Sequence, residues 1–249
     1  MERKQQNPGP IALITGANKG IGHETARQLA GAGMTVLVGA RDRTRGEAAV
    51  TRLRAADASA DIHLVVVDVA DDASVAAAAR RIESDFGRLD VLVNNAGIAV
   101  DSGPPSAQSL AGMRGMYATN LFGPVAMTQA VLPLLRRAPA ARIVNVSSSL
   151  GSLALASDRT TPVSQQGAFF AYSSSKSALN AFTVRLANEL RDSAIKVNSA
   201  CPGYVATDLN QHQGPRTVEQ GARIIVRLAT LPADGPTGGF FDDAGPVAW

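Results

Sequence analysis

Tyr172 and Lys176 bracket three serines in the stretch Tyr172-Ser173-Ser174-Ser175-Lys176. Residues four apart share one face of a helix, and the Ala-rich segment 171–192 has helical spacing. The phenol and the ammonium then point into the same space. A phenol with its ordinary pKa of about 10 is protonated at neutral pH. A neighbouring ammonium stabilises phenolate, lowers that pKa and eases proton exchange with the oxygen of an alcohol or carbonyl. The same pair also occurs on plain surface helices, so its surroundings decide its meaning.

A second chemical feature is the turn Thr15-Gly16-Ala17-Asn18-Lys19-Gly20-Ile21-Gly22. Glycines let a backbone turn sharply and approach a pyrophosphate, and a helix starting at Gly20 adds amide donors and the positive end of its dipole. The spacing is G-x3-G-x-G rather than G-x-G-x-x-G, and read alone such a turn serves equally as plain structure. His23, His63, His212 and Cys201 are dispersed and offer no metal-ligand spacing.

The elements that must hold these groups are legible as alternating runs. Residues 11–15, 35–40, 63–68, 91–97, 142–148 and 195–201 are short and mainly apolar, as in parallel strands buried on both faces. The stretches between them, such as 71–86 and 171–192, have helical spacing. Repeated βα units predict an α/β fold: a Rossmann-type doubly wound parallel sheet flanked by helices on both faces, in three layers. Residues 1–249 are read as one domain. Two stretches break the rhythm, 151–168 as an irregular insertion and 203–216 as a polar, turn-rich lid. Loops beyond the carboxyl ends of strands are the natural walls of a ligand site.

TGANKGIG, then NNAG, Y-x-x-x-K and P-G, in that order from Ile11 to about Asp208, resembles the short-chain dehydrogenase/reductase family, with the N-K-G-I-G of its carbonyl-reductase-like members. The resemblance implies hydride transfer between a nicotinamide and a carbonyl or alcohol carbon, with Tyr172 moving the proton at oxygen. It implies that Lys176 binds the nicotinamide ribose. It places the substrate-binding serine at Ser148, three residues before Gly151, with Ser147 and Ser149 in competing registers. It makes Asn120 the helix asparagine that holds a water linking the lysine to solvent. Gly16, Asn18, Lys19, Gly20 and Ile21 then form the phosphate turn, and Asp68 and Val69 contact adenine. Asn95, Ala96 and Gly97 line the cofactor. Pro202, Gly203, Val205 and Thr207 close over the nicotinamide carboxamide, with Tyr204 and Leu209 as walls of the substrate lid.

The residue after the second apolar run selects the cofactor. An acidic residue there suits the ribose of NAD, whereas arginine accommodates the 2′-phosphate of NADP. Here it is Arg41, and Lys19 adds a second cation. Asp42 works against them, by repelling a phosphate or by pairing with Arg41, and both cations also read as solvated surface charges. The chain has 20 arginines and only four lysines, yet two of the four, Lys19 and Lys176, fall inside motifs. NADPH/NADP+ is the expected cofactor, ahead of NADH.

A formal charge of +3 with scattered basic residues gives little steering toward nucleic acid, despite a pI near 9.3. A single cysteine makes no intrachain disulfide. The polar start and the lack of any long apolar run suggest neither secretion nor a membrane, and the chain reads as cytoplasmic. The gap from Ser148 to Tyr172 exceeds that of most family members, which implies a monomer, with dimer and tetramer as alternatives. Phe240, Phe241 and Trp249 are expected to cap the core, with a cover over the substrate pocket as the alternative. Rival functions are reduction of a carrier-bound or polyketide carbonyl, against which stands the absence of Arg and Lys in 203–214, and a cofactor-sensing protein without catalysis. The latter would be expected to have lost Ser148, Tyr172 or Lys176, and all are present.

Overall fold

Ile11–Ile14, buried at every position, form β1 in the interior of the sheet. Alternate side chains leave opposite faces of a strand. Ile11 and Leu13 accordingly enter one core, and Ala12 and Ile14 another. The computed structural model describes residues 9–100 and 103–249; residues 1–8 of the polar start fall outside them. After β1 come α1 (Gly20–Gly31), β2 (Thr35–Ala40), α2 (Arg43–Ala56), β3 (Ile62–Val66), α3 (Asp72–Phe86) and β4 (Val91–Asn94). Then follow α4 (Leu110–Tyr117), α5 (Gly123–Leu135), β5 (Arg142–Val146), α6 (Leu153–Ser157), α7 (Phe170–Glu189), β6 (Lys196–Ala200), α8 (Val218–Ala229) and β7 (Phe240–Phe241).

Among the described residues the strands make one seven-stranded sheet, order β3-β2-β1-β4-β5-β6-β7, parallel throughout. Leu13 stands opposite Leu37 on one side and Leu92 on the other. Helices α1, α2 and α8 cover one face through Leu29, Leu53 and Ile225. Helices α3, α5 and α7 cover the other through Ile82, Val131 and Leu186. This is the doubly wound, three-layer α/β sheet expected from the alternating runs. The winding reverses between β1 and β4, so a crevice opens beyond their carboxyl ends.

Three sequence readings are revised. The stretch 151–168 is not wholly irregular: it carries α6 and a 3₁₀ turn at Pro162–Gln165. The tail contributes β7, and while Phe240 is buried, Trp249 is 37% exposed and stacks on Phe240 at 5.5 Å. The backbone oxygen of Trp249 also accepts from Ala154 N in α6 at 2.7 Å. Finally, α4 and α5 join through a π-helical turn, Ala118–Phe122. The resulting helix Leu110–Leu135 contains an 18-residue stretch with a mean hydropathy of 1.2 and is long and apolar enough to cross a membrane by length and composition. The sequence reading missed it because Arg114 and the polar residues 119–120 interrupt the run. Met127, Val131, Leu134 and Leu135 of this helix lie in the core beside the sheet.

A buried polar chain ties the second half of the sheet to α5 and α7. Asn94 Nδ2 donates to Asn145 Oδ1 at 2.9 Å and to Thr128 Oγ1 at 3.2 Å. Asn145 Nδ2 donates to Thr183 Oγ1 at 2.8 Å, and Thr183 shares a 2.9 Å hydrogen bond with Ser199. Buried amides and hydroxyls are costly unless satisfied. This chain therefore holds α7 in one rotation about its axis, with Tyr172 and Lys176 toward its amino end.

Candidate active site

The phosphate turn is built by two glycines and one threonine. Gly16 and Gly20 have φ of 64° and 59°, left-handed values that L side chains avoid. Thr15 Oγ1 accepts from the amides of Asn95 and Ala96, each at 3.0 Å. Asn95 Nδ2 in turn donates to Thr15 O at 2.8 Å and Gly16 O at 3.2 Å. The turn is thereby bolted to the end of β4, with Ala96 pressed against Gly16. No side chain caps the amino end of α1, which leaves first-turn amides facing outward, the arrangement that receives a pyrophosphate. A Cβ at Gly22 would stand 2.4 Å from Asn95 Nδ2 and 2.8 Å from Gly16 O. Gly22→Ala is expected to lose about 1–3 kcal/mol in urea unfolding and to weaken nucleotide binding with it.

Lys19 does not stand free beside this turn. Its Nζ lies 2.6 Å from Asp208 Oδ2 in the lid, and His212 Nε2 lies 2.9 Å from Asp208 Oδ1. Lys19, then His212, hold the Asp208 carboxyl below the usual range. Arg41 is exposed and pairs with no carboxylate among the described residues. Asp42 neither pairs with Arg41 nor is left loose: its carboxylate caps α2 by accepting from Arg45 N at 2.8 Å. Asp68 Oδ1 is turned back on Ala70 N at 3.0 Å, and buried Val69 packs against Gly123.

The lid is a folded loop. Val205 bridges Arg216, Asn210 Nδ2 donates to Val205 O at 2.9 Å, and Gln211 and His212 adopt left-handed backbone. Arg216 packs its side chain on Gly203 and pairs with Asp243 of the tail. The methyl of Thr207 approaches Gly20. Between lid and turn lies a cleft of about 450 Å³ with Gly20, His23, Glu24, Thr207, Asp208 and His212 among its walls. It lies on the glycine-turn side and does not include Tyr172. Tyr204 and Leu209 are exposed on the lid, and Pro202 follows buried Cys201 at the end of β6.

Tyr172 occupies the first turn of α7, half-buried. The Ser148 side chain lies beside its phenol, and Ser148 Oγ accepts from Leu150 N at 3.2 Å. The neighbouring serines face elsewhere: the Ser147 hydroxyl is buried without a partner, and Ser149 contacts Cys201. Lys176 is 4% exposed, and its Nζ donates to Val146 O at 2.7 Å, 5.6 Å from the centroid of the Tyr172 ring. Burial pushes the phenol up to about 12, against a smaller lowering by Ser148, and burial pushes the Lys176 ammonium down to about 8. The depression of the phenol expected from its lysine neighbour is absent, and desolvation sets the direction. The strand carbonyl takes the hydrogen bond of the ammonium.

Asn120 is fully buried in the π-helical turn. Its amide exchanges two 2.9 Å hydrogen bonds with the backbone of Ile98 and donates to Ser175 Oγ at 3.0 Å. Gly97 sits where a Cβ would touch both Asn120 Oδ1 and Lys176 Nζ, so Gly97, Asn120 and Lys176 converge. Sequence reasoning missed Thr15, Ser175, Asp208 and the buried polar chain. Only Thr15 had a signal, its place opening the glycine turn. Among the described residues no cluster of His, Cys, Asp and Glu could hold a metal.

Residues 10–217 match the model of the short chain dehydrogenase family. The chain belongs to that family. It is an oxidoreductase. The (-)-isopiperitenone reductase of Mentha piperita is 37% identical over 300 residues, covering 92% of this chain and 95% of the relative. Carbonyl reductase [NADPH] 1 of Sus scrofa is 33% identical over 281 residues, covering 96% and 94%. Among solved structures, NADPH-bound carbonyl reductase from chicken fatty liver superposes with a TM-score of 0.84 at 29% identity, over 97% of this dehydrogenase and 100% of that chain.

Proposed function

We propose that this dehydrogenase reduces a ketone or aldehyde to an alcohol with NADPH as hydride donor. The observation that carries the reading is Tyr172 placed beside Ser148 and with its ring centroid 5.6 Å from Lys176 Nζ, its phenol pushed up to about 12 by burial and hence protonated at working pH. A carbonyl oxygen gaining charge needs a proton donor, and a protonated phenol beside a hydroxyl is poised to be one. Carbonyl reductases among its relatives, one bearing NADPH in its name and one solved with NADPH bound, support the cofactor.

The residues fit that group. Uncapped amides at the start of α1 and the left-handed glycines form a seat for a pyrophosphate. Asn95, Ala96 and Gly97 form the floor leading toward Lys176. When bound, the nicotinamide supplies hydride to the carbonyl carbon. Ser148 hydrogen-bonds the substrate oxygen and fixes its place. Tyr172 gives its proton to that oxygen as charge develops there. Lys176 stabilises the phenolate left behind and binds ribose hydroxyls, while Asn120 holds the backbone of Ile98 in place beside it.

The test is consumption of NADPH and of NADH with a panel of aryl ketones, diketones, aldehydes and ketoesters. Turnover that favours NADPH is expected. Tight NADPH binding with no turnover on any of them would favour the cofactor-sensing role, and failure to bind either nucleotide would defeat the reading.

A further inference from the structure

We propose that Arg216 is a positioning residue for the nicotinamide end of the site: it braces the Pro202-Gly203 turn, and its pairing with Asp243 makes the tail part of that brace. The inference rests on the NADPH reading above and asks what holds the turn that closes over the carboxamide. Pro202 has no amide hydrogen, and Gly203 has no side chain, so neither offers a polar side-chain anchor. Gly203 also has a φ of 77°, a left-handed value where only glycine moves freely. A turn made this way needs support from elsewhere in the chain.

Arg216 supplies that support with both backbone and side chain. Its N donates to Tyr204 O at 3.3 Å and its O accepts from Ala206 N at 2.9 Å, so its backbone brackets Val205. Its side chain folds across Gly203, where a Cβ would stand 2.8 Å from Cδ and 3.3 Å from Nε. The far end is fastened twice: Nη2 donates to Gln220 O in the first turn of α8 at 2.9 Å and pairs with the Asp243 carboxylate. The tail that carries Asp243 is itself held. Arg227 of α8 donates to Asp242 O at 2.6 Å and to Asp243 O at 3.4 Å. Phe241 O accepts from Cys201 N, immediately before the turn, at 2.8 Å. Stability alone does not account for this arrangement. The Arg216 and Asp243 side chains are 31% and 32% exposed, and an ion pair so placed contributes little. Arg216 Nε is buried with no hydrogen-bond partner, which costs stability. What the arrangement does fix is the place of Gly203.

The test compares two ligands on the full chain by calorimetry: NADPH, which reaches the nicotinamide end, and adenosine 2′,5′-bisphosphate, which does not. Wild type is expected to bind both, NADPH the more tightly. Arg216→Ala should lose at least about tenfold of its NADPH affinity and keep its bisphosphate affinity within about threefold. Arg216→Lys returns the stem over Gly203 and the charge, and should recover most of that loss. Asp243→Asn should weaken NADPH alone, by about threefold, and add nothing further when combined with Arg216→Ala. Because Asp243→Asn leaves the stem in place, it carries the test if the alanine variant is too unstable to measure. Unchanged NADPH affinity in Arg216→Ala, or in Asp243→Asn where that variant carries the test, would overturn the proposal. An equal loss for both ligands would mean general damage to the fold and overturn it as well. Additive losses in the double variant would separate the tail from the brace and defeat the tail's part in it. Failure of wild type to bind NADPH would instead bring down the NADPH reading beneath it.

Discussion

Replacing Tyr172 by phenylalanine is expected to cut carbonyl turnover by roughly 10³-fold, within the range of positioned general acids, while nucleotide affinity stays within about threefold. The variant removes one oxygen and leaves the ring that packs beside Lys176. The Ser148 hydroxyl keeps Leu150 N as a donor, so the 3₁₀ turn at Ser149–Gly151 stays formed. The measurement is single-turnover oxidation of bound NADPH, which isolates chemistry from product release. A rate within tenfold of wild type would remove Tyr172 from the proton path and leave Ser148 or water as the donor.

Lys176→Met carries the second large effect, and it has opposite signs for stability and for activity. Burial lowers this ammonium from 10.5 to about 8. The unfolded chain therefore binds more protons than the folded one between about pH 8 and 10.5. Stability rises with pH through that window, and the penalty is present in full below it. The shift corresponds to about 3 kcal/mol. Wild type without nucleotide should gain about that much between pH 7 and 10.5 relative to the methionine variant, read as the difference between their urea midpoints at each pH. The stranded Val146 carbonyl returns about 1–3 kcal/mol of loss to the variant at every pH, so the pH-dependent difference is the diagnostic quantity. Turnover should fall on the order of 10²-fold, because the phenolate has lost its counter-charge. Parallel stability curves for the two proteins would show that Lys176 is not desolvated as its 4% exposure implies.

The strands were legible because parallel strands buried on both faces must be continuous apolar runs, and β1, β2 and β4 are buried throughout. Strand β7 was not, since two residues carry no pattern. Tyr172 and Lys176 were legible as a helix pair, but the direction of the phenol's shift was not. A sequence reveals which charges are neighbours along a helix and not how much water the fold removes from them. The three adjacent serines could not be told apart for another reason: they differ only in where the chain points after β5. The Lys19–Asp208 pair and the Asn145–Thr183 bond join residues far apart in the chain. Such pairings follow from strand order and helix rotation, to which local spacing is blind.

Trp249 is the only tryptophan in the chain. It stacks on Phe240 of β7 and ties its backbone to Ala154 in the insertion. The tail it ends also meets the lid, through Arg216 and Asp243. The indole is therefore a native optical probe at one junction. Its emission colour and anisotropy report the docking of tail on insertion without any attached dye.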